Sequence, residues 1–310
     1  MSAPQFLVIS LSNVGDAVMT TPVLQALHAY DPAAVIDIVA DRRSSAIFAG
    51  CPFLGRILHK DKERALRGMV GLLSELRQVD YDLVADLRTD VLPLLIRARR
   101  RFFRWQGRAT GPHAVQQHLG VIAALPLDLK IFTTQLWLGP SEREFARRTL
   151  GDRAGQRLLA LAPGANWPPK IWPARQFIGL IELLRGEFDS VVLLGSVADQ
   201  KHAGAIAAAS ALPCRDLTGQ TGLLEAAAVL AHARIFVGND SGLGHIAAAV
   251  QTPTLTLFGV GAPDRYHPWG PRAAWLVEPA HDLSRLPVAE VGSALRAHLI
   301  ACQSKATAAT

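Results

Sequence analysis

Cysteine is scarce in this 310-residue chain: Cys51, Cys214 and Cys302 are far apart and odd in number. They exclude a disulfide framework, and no two have metal-site spacing. Such usage suits a reducing cytosol. Long apolar runs are missing too, none approaching the roughly 20 residues that span a bilayer. The first residues show neither a basic segment nor a small-residue cleavage site, so no secretory leader is expected. The expected location is cytoplasmic, with contact at most to a membrane surface. Aromatics make up only 6% of the chain while Ala, Leu and Val abound, a composition suited to helices on a parallel sheet.

Acidic residues are in deficit. There are 26 Asp and Glu against 32 Lys and Arg, a formal net charge of +6. Much of the excess lies in Arg97, Arg99, Arg100, Arg101, Arg104 and Arg108. The cluster reads either as a solvated helix face or as a contact for an anionic partner. No nucleic-acid motif or basic–aromatic interleaving accompanies it, so no nucleic acid is expected.

Half of the residues are hydrophobic, and the length suits two domains of roughly 150 residues. Gln5–Leu11 reads as a strand, Ser12–Asp16 as a turn, and Ala17–Tyr30 as a helix with a kink or second start at Pro22. Val35–Ala40 and Asp82–Leu87 read as further strands. The alternation predicts an α/β fold with parallel sheets and helical crossovers. The polar stretch Gly139–Gln156 follows a strand-like Gln135–Leu138 and places a boundary near residue 150. Domains of residues 1–150 and 151–310 result. In the second, strands are expected at Leu158–Ala162, Ser190–Leu194, Arg234–Val237 and Thr254–Phe258. The small, polar tail from Ser304 is expected to fray.

Ligands of open α/β sheets gather at the carboxyl ends of strands. Three strand-to-helix loops are therefore of interest. Asp16 in Asn13-Val14-Gly15-Asp16 is either a helix N-cap or a carboxylate presented to a ligand. Lys170 lies in Pro163–Pro173, stiffened by prolines and tryptophans; it is either a surface lysine or a point charge for phosphate. Asp240, Ser241, Gly242 and His245 follow a strand, where free N–H groups at a helix start suit a diphosphate. His245 is equally readable as a core histidine. Asp199, after Leu194-Gly195-Ser196, is a helix cap or a hydrogen-bond partner for ribose. No dinucleotide fingerprint or phosphate-loop motif is present. Asp80-Tyr81-Asp82 copies a metal-binding D-x-D, but it precedes its strand and so lies at the wrong end of a sheet. His113 and His118 make no convincing metal pair.

Taken together, N-V-G-D-A-V-M-T-T-P-V-L (13–24), P-G-A-N-W-P-P-K-I-W-P (163–173) and N-D-S-G-L-G-H-I-A-A-A (239–249) resemble the ADP-heptose lipopolysaccharide heptosyltransferase family. P-T-L-T-L-F-G (253–259) and W-G-P (269–271) add to the resemblance. It implies the GT-B architecture: two Rossmann-like doubly wound domains facing across a cleft, the last helix packing back on the first. It also implies an inverting, metal-independent transfer of heptose from ADP-L-glycero-D-manno-heptose to the lipopolysaccharide inner core, without cofactor. By resemblance, Asp16 is the general base, and Lys170, Asp199, Asp240, Ser241, Gly242 and His245 bind the donor. Arg99, Arg100 and Arg101 are assigned to the acceptor, beside a peripheral contact with the inner membrane. Ser10 departs from the basic residue the family often carries near the end of strand one. The alternatives are a transferase or epimerase for another nucleotide sugar, or a non-catalytic nucleotide- or glycan-binding protein.

Overall fold

The computed structural model describes residues 3–59, 65–88 and 91–307. The chain divides into two compact units, Met1–Trp137 and Leu138–Thr310. In the first unit the order is β1 (Gln5–Ile9), α1 (Val14–Tyr30), β2 (Val35–Ala40), β3 (Leu54–His59), α2 (Ala65–Leu76), β4 (Tyr81–Asp86), β5 (Ala98–Phe103) and α3 (Ala114–Val121). All pairings are parallel and the sheet runs β3-β2-β1-β4-β5.

Helix α1 passes through Pro22 without a break. A proline removes the N–H that would reach the carbonyl four residues back, here that of Val18. The Thr21 hydroxyl donates to that oxygen instead, at 2.7 Å. The same hydroxyl accepts the Gln135 N–H at 3.0 Å. This ties down the 132–139 segment, which runs without a ladder rather than as the expected strand. The arginine-rich segment is a strand, β5, and not a helix face. Three consecutive arginines mask its apolar alternation, and Phe103 alone of the six is buried.

The second unit comprises α4 (Pro140–Leu150), β6 (Leu158–Ala162), α5 (Ala174–Leu184), β7 (Ser190–Leu193), α6 (Gln200–Ala208), β8 (Cys214–Asp216), α7 (Leu223–Leu230), β9 (Ile235–Asn239), α8 (Gly242–Ala249), β10 (Thr254–Phe258), α9 (Pro263–Tyr266), β11 (Ala273–Val277) and α10 (Val288–Thr307). Its parallel sheet runs β11-β10-β9-β6-β7-β8. The boundary falls at 137/138, not near 150. The polar stretch that suggested the boundary contains α4: Pro140 occupies its first turn, and Ala146 and Leu150 are buried where it meets α7. The last helix also belongs here. Val291, Leu295 and Leu299 of α10 share a core with Phe177, Leu180 and Leu184 of α5. The helix continues past Ser304 to Thr307; residues 308–310 lie outside the described residues.

Arg157 closes the amino end of the second sheet on Asp189. Its Nη2 lies 2.5 Å from Asp189 Oδ1, and its backbone N–H donates at 2.9 Å. These bonds, the side-chain one foremost, hold the Asp189 carboxyl down at about 2. The folded value lies below the unfolded one of about 3.9. The pair's contribution is therefore present above about pH 4 and lost as pH falls through about 2. Asp189→Asn should lower the urea midpoint at pH 5 and converge on the parent protein only below about pH 2.

Candidate functional site

In the first unit, Ile9, Asp86 and Phe103 stand in register at the carboxyl edge of the sheet. Asp16 rises from this edge in the first turn of α1. It is not the N-cap: Asn13 holds that position, with extended backbone. Asn13 Nδ2 donates to Asp16 Oδ2 at 3.1 Å, and the carboxylate stays partly exposed. The turn is locked from below. Thr20 donates its hydroxyl to the Asp16 carbonyl at 3.1 Å and accepts from the buried Ser10 at 3.3 Å. Ser10 thus serves the backbone of the Asp16 turn, where a long basic side chain would have to be buried. Asp86, fully buried, accepts the Arg88 N–H at 2.8 Å. Arg88 in turn donates to Ser12, beside the Asp16 loop.

The three arginines assigned to the acceptor do not share one surface. Successive strand residues alternate faces, and the chain obeys this. Arg99 pairs with Asp82 at 3.0 Å. Arg100 points the other way, donating to Tyr30 Oη at 2.8 Å. Arg101 turns inward onto the carbonyls of Pro93, Ala98 and Ile96. Arg100 precedes Phe103 by three residues, about 10 Å of strand, so all three stand back from the Asp16 edge. Asp80 and Asp82 lie at that opposite end, where Arg97 and Arg99 meet them. His113 caps α3 by accepting the Val115 N–H, and His118 contacts the Met19 carbonyl. Among the described residues, no group of three or more His, Cys, Asp or Glu could hold a metal ion.

In the second unit, β10, β9, β6 and β7 are neighbours, so the loops at their carboxyl ends form one edge. Asn239, the last residue of β9 and fully buried, organises it. Its Nδ2 donates to the Pro163 carbonyl at 2.7 Å, and its Oδ1 accepts the Trp172 N–H at 3.0 Å. Trp172 is buried and donates its indole N–H to the Leu286 carbonyl. The loop between these anchors carries Lys170 on the 3-10 turn Pro168–Lys170. Lys170 Nζ reaches Asp240 Oδ2 at 2.5 Å, and both side chains are largely buried. An ammonium group has three donors; one goes to Asp240, leaving two for a further acceptor.

Next to Asp240, Ser241 is the N-cap of α8 without bonding the helix through its side chain. Its Oγ is buried without a hydrogen-bond partner. The first N–H groups of a helix, here from Gly242, Leu243 and Gly244, find no partner within it. With the helix dipole they make an anion seat beside the Lys170 ammonium. Gly261, at φ 140°, brings the β10 loop to the same carboxylate: a Cβ there would stand 3.4 Å from Asp240 Oδ2. His245 is buried in the first turn and a half of α8. Asp199 gathers at this edge as a cap: its Oδ2 accepts from the Ser196 N–H at 2.8 Å and hydroxyl at 2.7 Å. It also packs on Gly164, where a Cβ would meet Asp199 Oδ1 at 2.0 Å.

Sequence reasoning missed Asn239 and Arg88 as participants. A buried asparagine ending an apolar strand was a legible sign for the first. Nothing in the sequence announced the second, whose contact joins residues 76 positions apart.

A family model described as Glycosyltransferase family 9 (heptosyltransferase) matches residues 96–286. Lipopolysaccharide heptosyltransferase 3 of Escherichia coli is 28% identical over 284 residues, 82% of this chain and 83% of its own length. Lipopolysaccharide heptosyltransferase 1 of Pseudomonas aeruginosa is 30% identical over 292 residues, covering 82% and 78%. The solved structure of E. coli ADP-heptose lipopolysaccharide heptosyltransferase II superposes with a TM-score of 0.77 at 27% identity, over 96% of this chain and 98% of that one. The two parallel sheets, the loops at their carboxyl edges and a match over more than half of its length together assign the chain to glycosyltransferase family 9, the heptosyltransferases, with the GT-B fold.

Proposed function

We propose that this glycosyltransferase moves a heptose from ADP-L-glycero-D-manno-heptose to the inner core of lipopolysaccharide, inverting the anomeric carbon and needing no metal. The observation that carries the reading is the convergence of Lys170, Asp240 and the N-terminus of α8 at one sheet edge. An ammonium, three backbone N–H groups and the Ser241 hydroxyl offer hydrogen-bond donors to a diphosphate. Asp199, His245 and Gly242 are assigned to the same donor. The nature of the donor and acceptor is further supported by the relatives, which are lipopolysaccharide heptosyltransferases.

Inversion by single displacement requires one base and a stabilised leaving group. Asp16 accepts the proton of the attacking acceptor hydroxyl. The new glycosidic bond forms as the bond to the diphosphate breaks, and the electron pair leaves on ADP. Lys170 and the α8 N–H groups stabilise that developing charge, the electrostatic role a divalent metal fills in other transferases. This chemistry requires the two units to present Asp16 and the donor loops to one pair of substrates. Arg99 and Arg100 are assigned to anionic groups of the acceptor remote from the reacting hydroxyl, given their place along β5. The proposed setting is the cytoplasmic face of the inner membrane, with peripheral attachment.

The test is a transfer assay with ADP-heptose, UDP-sugars and GDP-sugars, each with and without chelator. Transfer from ADP-heptose unchanged by chelator is the expected result. Preference for another nucleotide sugar, or loss of activity on chelation, would overturn the donor or the metal-free mechanism respectively. Binding of ADP without any transfer would favour a non-catalytic role.

A further inference from the structure

The first unit carries exposed apolar side chains that the transfer step does not use. Between β4 and β5 the chain turns through a 3-10 segment, Leu92–Leu95. Leu92 and Ile96 are buried and join Leu72 and Leu76 of α2 in one core cluster. The crossover and α2 therefore cover the same side of the sheet. Two arginines clamp the crossover. Arg77 Nε donates to the Leu95 carbonyl at 2.8 Å, and Arg101 donates to those of Pro93 at 2.8 Å and Ile96 at 3.0 Å. With the backbone held so, Val91, Leu94 and Leu95 are 59%, 61% and 42% exposed, and Val70 of α2 is 65% exposed. Arg97 and Arg99 border them with side chains 74% and 84% exposed. Among the described residues, Asp80 and Glu75 are the exposed carboxylates nearby in the chain; Asp80 pairs with Arg97, and the half-buried Asp82 pairs with Arg99. Between residues 77 and 108, eight arginines face four aspartates.

Apolar side chains gathered on a surface mark a contact with a partner or a membrane. Protein interfaces are depleted of charge at their centre. Here guanidinium groups stand within a few residues of each exposed leucine. That interleaving of leucine and arginine fits a bilayer interface, where apolar groups enter the headgroup layer and cations meet lipid phosphates. Building on the peripheral attachment proposed above, we infer that the crossover and the outer side of α2 dock the protein on an anionic bilayer surface, with Leu94 and Leu95 inserting and Arg97 contacting phosphates. The inference does not depend on the identity of the sugar donor.

Sedimentation with phosphatidylcholine vesicles, with and without phosphatidylglycerol, tests it at low and high salt. The protein should bind the anionic vesicles. The double variant Leu94→Ser/Leu95→Ser should lose about tenfold or more in vesicle affinity at both salt levels. Arg97→Glu should weaken binding chiefly at low salt, because high salt already screens its charge. The leucine variant should keep the parent thermal midpoint and ADP affinity, since its side chains are exposed and lie in the other unit. In a Leu94→Trp variant, tryptophan emission should shift to the blue on adding anionic vesicles and be quenched by brominated lipid. Vesicle binding unaffected by the leucine changes, absence of binding by the parent protein, or an unshifted Leu94→Trp spectrum would overturn the inference. So would self-association of the parent protein, without lipid, that the leucine variant abolishes. No sugar donor is needed for the vesicle readout, so its failure is separable from failure of the transfer reading.

Discussion

Replacing Asp16 with alanine is expected to lower kcat by about 10²- to 10⁴-fold, the usual scale of losing a general base, while ADP affinity stays at the parent value. The split follows from position. Asp16 belongs to the first unit, whereas Lys170, Asp240 and the start of α8 belong to the second. The fold should tolerate the change, because the Asp16 turn is held by backbone: Thr20 donates to the Asp16 carbonyl, not to its carboxylate. Steady-state transfer kinetics with calorimetric titration of ADP would check both halves. A near-parent kcat would remove Asp16 from the base role. Asp16→Asn is the companion variant: it keeps the shape and the contact with Asn13, removes only the proton acceptor, and should be as slow as the alanine.

The second large effect is expected at Asn239, a residue that touches no substrate in the proposed reaction. Its side chain serves the Pro163 carbonyl and the Trp172 N–H from a fully buried position. Asn239→Ala leaves both without their partner. A buried polar group so stranded costs about 1–3 kcal/mol, so for the two a loss of about 2–6 kcal/mol in folding stability is expected, read as a shift of the urea midpoint. The loop that those bonds anchor carries Lys170. ADP affinity should therefore fall as well, even under conditions where the variant is folded. An Asn239→Ala protein with parent stability and parent ADP affinity would show that the prolines and Trp172 hold the loop alone. By contrast, Asp240→Asn should act chiefly on donor binding, because it keeps the shape of the side chain and removes the carboxylate charge that holds Lys170 in place.

Much of this architecture was legible before any coordinates. Short apolar strands alternating with helical spacing announced two α/β halves, and β1, β2, β4, β6, β7, β9 and β10 fall within a residue or two of their expected places. What escaped did so for identifiable reasons. β5 was hidden because an edge strand can point arginines to solvent on both faces, which erases the alternation that marks a half-buried strand. Helix α4 read as a polar boundary stretch because only Ala146 and Leu150 of its eleven residues are buried. Pro22 suggested a break because the compensating donor, the Thr21 hydroxyl, is a side-chain contact with the Val18 carbonyl that composition does not reveal.

The sequence by itself determined which residues could do chemistry: it placed Asp16, Lys170 and Asp240–Gly242 after strands, where parallel sheets put their ligand loops. Only tertiary structure decided how they are used. It joined Lys170 to Asp240 across seventy residues of chain, made Asn13 rather than Asp16 the cap of α1, and spent Asp199 on Ser196. It also sent Arg99, Arg100 and Arg101 in different directions. The physical reason is common to all four. A local pattern fixes which face or end of an element a side chain leaves from, but its partner is chosen by which strands and loops the sheet order brings alongside.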